Sequence, residues 1–118
     1  EHYEIAVNLN NLATIYAARG HYIQAEETYC RALALKEELF GGDNVDVALT
    51  VNNLGVLHKE QGNLEKAADF FRRALAVFED ELAADHPHTV VCRENAEDAM
   101  SYAVRGDSHN KVLFQEVN

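Results

Sequence analysis

The chain is almost devoid of proline, with Pro87 alone among 118 residues; glycine is sparse at six, and tryptophan is absent. Proline and glycine disfavour a helix interior by about 3 and 1 kcal/mol, so their scarcity argues against a turn-rich β fold and for long uninterrupted helices. Cations are also scarce. Ten Lys and Arg face twenty Asp and Glu, for a formal net charge of −10. Nucleic-acid binding and attachment to acidic membranes both need clustered Lys and Arg, so the balance argues against both. The acidity suits a solvated surface and, where it acts in recognition, a partner with basic residues. The two cysteines, Cys30 and Cys92, are far apart and lack metal-type spacing; the pattern reads as reduced thiols of a cytoplasmic protein. No leader is visible, and no apolar run approaches the roughly 20 residues that cross a bilayer. The chain begins at Glu1 rather than methionine, which reads as a segment of a longer protein.

What the sequence does contain is repetition. Asn10-Asn11-Leu12 returns 42 positions later as Asn52-Asn53-Leu54, Gly20 as Gly62, Ala25 as Ala67, and Arg31-Ala32-Leu33-Ala34 as Arg73-Ala74-Leu75-Ala76. Self-similarity at a fixed period of this length signals a stacked array. Within each period two stretches carry apolar residues at three- and four-residue steps, the mark of amphipathic helices. Ile5, Leu9, Leu12 and Tyr16 form the expected inward stripe of a first helix, ended by Gly20. Tyr22, Ala25, Tyr29, Ala32 and Leu33 form that of a second, ended by Gly41-Gly42. Asp43 is the expected N-cap of a third helix with the stripe Val47, Val51, Leu54 and Leu57. Asn63 is the expected cap of a fourth, with Leu64, Ala67, Phe71, Ala74, Leu75 and Phe78 inward. Asp85-His86-Pro87 opens a fifth, expected to reach about Val104. In that helix the repeated positions become Arg93, Ala96 and Met100, the degeneration expected of a terminal helix facing water.

The order Leu12, Ala13, Tyr16, Ala25, Tyr29, Ala32, matched by Leu54, Gly55, His58, Ala67, Phe71, Ala74, resembles the tetratricopeptide repeat. The long period, with Asn-Asn-Leu, a Gly-x-Tyr turn, Arg-Ala-Leu and a following Asp-His-Pro, is similar to the repeats of kinesin light chain. The resemblance covers about residues 1–104. It implies an all-α, right-handed α–α superhelix of about two and a half helix pairs. The units would be residues 1–42, 43–84 and a capping helix at 85–106, followed by a tail at 107–118 bearing Val112-Leu113-Phe114. It also implies a protein-interaction scaffold that receives a peptide segment in a concave groove, as a cargo or assembly adaptor.

The groove positions implied by that family are Asn10, Asn11, Thr14, Asn52, Asn53, Val56, Lys59, Glu94, Asn95 and Asp98. Asparagine carries both a donor and an acceptor, so it can pair with an extended backbone of any sequence. The alternative is that one Asn of each pair bonds a neighbouring helix and sets the repeat geometry. Glu94 and Asp98, four apart, make one end of the groove acidic. No cofactor is expected. The histidines have no converging cysteine or carboxylate at metal-ligand spacing. The glycines sit at helix ends rather than in a phosphate loop, and no nucleophile–base arrangement can be drawn, so catalysis is not expected. The competing expectation is a structural one. The exposed repeat end, with Ile5, Leu9 and Leu12 partly uncovered, would mediate self-association by burying against another copy, or would bury against upstream repeats, and no peptide would bind.

Overall fold

Gly20 and Gly62 lie in the left-handed region, at φ 77° and 82°, which only glycine adopts without steric cost. Each lets the chain reverse in one step. His21 N–H donates to Tyr16 O at 2.9 Å, and Asn63 N–H donates to His58 O at 2.8 Å, satisfying carbonyls that a helix end would otherwise leave open. The same turn at the same repeat position yields two like helix pairs. The computed structural model describes residues 2–101: α1 His2–Ala18, α2 Tyr22–Phe40, α3 Val45–Glu60, α4 Leu64–Glu81, and α5, whose helical residues 87–101 are described. No strand occurs among the described residues. From α1 to α4 each helix packs on the next, α1 also touches α3 across the stack, and α5 joins the core of α3 and α4 through Cys92, Ala96 and Ala99. The fold is an all-α helical-repeat solenoid.

The helix pairs close on small residues. Ala13, Ala25, Ala67 and Ala74 are fully buried. At Gly55 an added Cβ would lie 2.6 Å from the Phe71 ring, so a larger residue there would force the ring to shift. The larger core cluster joins Val47 and Val51 of α3, Phe71 and Phe78 of α4, and Cys92, Ala96 and Ala99 of α5. The smaller joins Ala13, Ala25 and Tyr29 to Leu54 and Leu57. The expected stripes of α3 and α4 are buried at Val47, Val51, Leu54, Leu57, Ala67, Phe71, Ala74 and Phe78.

Three expectations are corrected. The N-cap of α3 is Asn44, not Asp43. Asn44 takes an extended backbone, and its side chain accepts from Asp46 N–H at 2.7 Å, because the helix starts one residue later than expected. Asn63 stands at the start of α4 but its side chain makes no cap bond; its amide instead meets His58 Nδ1 at 3.3 Å. In α1 the buried residues are Ala6 and Ala13, while Ile5 and Leu12 are 47% and 41% exposed. The face turned to α2 is rotated from the expected stripe, and Ile5 and Leu12 lie where no described helix covers them. The expected end of α5 near Val104 and the tail at 107–118 lie outside the described residues.

At the start of α5, His86 takes the capping role. Its Nδ1 accepts from His88 N–H at 3.0 Å, beside Pro87, which has no N–H to satisfy.

Candidate functional site

Because α2 packs on both α1 and α3, it holds those two helices side by side, and a notch opens between them. It has a volume of about 220 Å³. Thr14, Ala17 and Ala18 of α1 form one wall, Asn53, Val56, Leu57 and Glu60 of α3 the other, and Tyr29 of α2 reaches in between. Thr14 Oγ1 donates to Asn10 O at 3.1 Å and lies 2.8 Å from the Tyr29 hydroxyl. Either hydroxyl of that pair can donate. Burial pushes the Tyr29 pKa above 10.0, the Thr14 bond opposes this, and the Glu60 carboxylate adds to it. The hydroxyl therefore stays protonated at neutral pH.

Behind the notch runs a chain of polar contacts that the sequence did not announce. Lys36 of α2 is only 4% exposed. Its Nζ donates to Thr50 Oγ1 at 3.0 Å and to Asp46 O at 3.3 Å. Thr50 Oγ1 donates to Asn10 Oδ1 at 3.1 Å, and Asn53 Nδ2 donates to the same oxygen at 3.2 Å. Three helices are thereby tied by directional bonds. Desolvation lowers the Lys36 pKa from 10.5, and the Asp46 carboxylate partly restores it. The helical phase of Lys36 with Ala25, Tyr29 and Ala32 was a usable signal. It was missed because a charged residue is ordinarily read as solvated.

Of the expected groove residues, Thr14, Asn53 and Val56 gather around this notch, and Asn10 stands behind it as the partner of Asn53. Asn11 is exposed on α1. Asn52, Lys59, Glu94, Asn95 and Asp98 do not line the notch. By the 42-residue register, Asn52 and Asn95 correspond to Asn10 and Asn53, one unit further along. That second pair is not closed in the same way: Asn52 Oδ1 is buried without a hydrogen-bond partner. Lys59 and Asn95 are half-buried, and Glu94 and Asp98 are exposed.

Other polar side chains at the unit boundaries serve packing. The His58 ring stacks on Phe70 at 5.4 Å, and its Nε2 lies 3.4 Å from Glu26 Oε2. That approach is an ion pair only if the imidazole is protonated, and it lacks hydrogen-bond geometry. Among the described residues no group of three His, Cys, Asp or Glu side chains is placed to hold a metal ion. No helix there is long and apolar enough to cross a membrane.

The tetratricopeptide repeat family profile matches residues 4–80, and the chain belongs to that family. Repeats of this family mediate protein–protein interaction, and their domains are typically scaffolds rather than catalysts. No curated protein matches the sequence. Among solved structures the chain is similar to the crystal structure of BtubC (BKLC) from P. vanneervenii. The two are 30% identical with a TM-score of 0.77, over 86% of this chain and 40% of that one. The chain thus spans less than half the length of that relative.

Proposed function

We propose that the concave face formed by α1, α3 and α5 receives an extended segment of a protein partner, and that the chain works as a cargo or assembly adaptor module without catalysis. The observation that carries this is the open notch between α1 and α3, lined by Thr14, Asn53, Val56 and Glu60. A volume of about 220 Å³ lies below the roughly 300–1,000 Å³ of small-molecule pockets, so it suits one side chain of a longer ligand. Exposed Asn11 and the continuing row of Asn52, Lys59, Glu94, Asn95 and Asp98 extend the surface for that ligand's backbone. The adaptor reading draws on the kinesin-light-chain-like period and on the similarity to BtubC (BKLC). A cytoplasmic setting is supported by the two free cysteines.

An oriented library of extended peptides, each with one fixed central residue, tests the groove. Its best binders should lose at least about tenfold in affinity, 1.4 kcal/mol, to Ala18→Gln. Ala18 is exposed and lines the notch, so this change fills the space without touching the core. Unchanged affinity for Ala18→Gln would overturn the reading.

A second reading is favoured by one observation. Ile5, Leu12 and Ile15 are 47%, 41% and 49% exposed, whereas their equivalents Val47, Leu54 and Leu57 are each 1% exposed. In the second unit α2 supplies the cover; for α1 another copy would supply it, making the chain a self-association module. Sedimentation over a range of concentrations decides this: a dimer that Leu12→Glu dissolves supports it, and a monomer throughout refutes it.

A further inference from the structure

The notch combines two hydrogen-bond acceptors, Asn53 Oδ1 and the Glu60 carboxylate, with an apolar lining. Asn53 has committed one Nδ2 proton to Asn10, which leaves its Oδ1 and a second N–H for a ligand. The Thr14 and Tyr29 hydroxyls pair with each other and Thr14 also reaches Asn10 O; both oxygens keep lone pairs. At the edge stands Glu60, exposed, and among the described residues no cation pairs with it. Ala17, Ala18, Val56 and Leu57 supply the apolar lining. A ligand group that suits such a site carries a hydrocarbon stem and a head that only donates. Lysine and arginine side chains have that form, with no acceptor on the head group and a stem that packs along apolar surface.

From this complementarity we infer that the notch between α1 and α3 selects a lysine or arginine side chain of the partner segment, the stem lying against Ala17, Ala18 and Val56 and the cationic head meeting Glu60 and Asn53 Oδ1. The inference rests on the groove reading above and adds a specificity determinant to it. The net charge of −10 acts in the same direction, drawing basic segments toward the surface. An acidic side chain would bring no proton to these acceptors and would leave them desolvated.

The same peptide library tests the selection. Lysine and arginine should be enriched at the fixed position. Replacing that lysine by norleucine, which keeps the stem and removes the charge, should weaken binding about tenfold, 1.4 kcal/mol. Glu60→Gln should weaken the lysine peptide by a similar factor and leave the norleucine peptide unaffected, the coupling expected when two groups meet directly. Glu60→Lys should shift the enrichment to Asp and Glu. Raising the salt should narrow the lysine-to-norleucine gap, because the carboxylate is at the surface. If Ala18→Gln abolishes binding while lysine and norleucine peptides bind alike, the groove stands and the basic specificity falls. If the lysine preference persists in Glu60→Gln, the notch is not its origin and the inference is overturned. If Ala18→Gln has no effect, or no library peptide binds, the groove reading and this inference fall together.

Discussion

The two junctions between successive units occupy the same register and are built from different chemistry. In the first, Lys36 of α2 bridges to Asp46 O and Thr50 of α3, and Thr50 and Asn53 converge on Asn10 of α1. In the second, 42 positions on, Phe78 stands for Lys36, His88 for Asp46, Cys92 for Thr50, and Asn52 and Asn95 for the asparagine pair. There Phe78 stacks on His88 at 5.8 Å, and the Cys92 thiol turns to Phe71 O at 3.4 Å. No donor reaches Asn52 Oδ1. A hydrogen-bonded junction fixes orientation, because the bonds are directional and an unmet buried partner is costly. An apolar junction asks only for matching volume. The helix pair that forms the notch is therefore the one held by directional bonds, while α5 is held by packing.

The largest test removes the aromatic on which the second junction rests. Phe78→Ala should destabilise the chain by about 3–5 kcal/mol, the range for truncating a buried aromatic, as read by urea unfolding. A loss under about 1 kcal/mol would mean that α5 is not anchored there.

Next in size is the polar link of the first junction. Thr50→Val takes the acceptor from Lys36 and a donor from Asn10, and should cost about 1–3 kcal/mol. The matching Cys92→Val changes volume more than polarity and should cost less than about 1.5 kcal/mol. Equal losses would erase the distinction between the junctions.

Alkaline titration should push the two junctions in opposite directions. Burial first, and the Glu79 charge second, raise the Cys92 thiol from 9.0 to about 11. A raised pKa means that the unfolded chain ionises first, so the stability is whole below pH 9 and is lost as pH climbs toward about 11. Wild type should lose about 1–2 kcal/mol more than Cys92→Ala between pH 8.5 and 10. Lys36 has the opposite sign. Its folded pKa lies below 10.5, so the folded state sheds its proton first, and the penalty of holding the charge is relieved as pH rises toward 10.5. Wild type should accordingly gain relative to Lys36→Met over that rise, and pH profiles that run parallel in both comparisons would refute the assignment.

The smallest effect is expected where the junctions are most alike. Glu37 accepts from Arg73 at 2.9 Å, and its equivalent Glu79 from Arg93 at 3.4 Å. These pairs lie in solvent, so Glu37→Gln and Glu79→Gln should each shift stability by less than about 1 kcal/mol. A larger loss at either would show a desolvated pair.

The sequence by itself determined the helix pairs, their number and their close contacts. Periodicity, the glycines at 20 and 62, and the small residues Ala13, Gly55, Ala25 and Ala67 are local signals, and the physics they report is local: helical phase, a turn with positive φ, and backbones that approach only where side chains are small. Part of the candidate notch was legible too, since the repeat pattern singled out Thr14, Asn53 and Val56, which line it. Only the tertiary structure decided which groups are already spent. Asn10 and Asn53 hold the same register positions as Asn52 and Asn95, yet Thr50 closes the first pair, while Cys92, at the position of Thr50 in the second, turns its thiol to Phe71 O. Lys36 is interior because α3 offers it an oxygen and a carbonyl. Ile5, Leu12 and Ile15 are exposed because no described helix lies opposite them. Burial and hydrogen-bond satisfaction belong to pairs of surfaces, and one helix's sequence records only its own half of each pair.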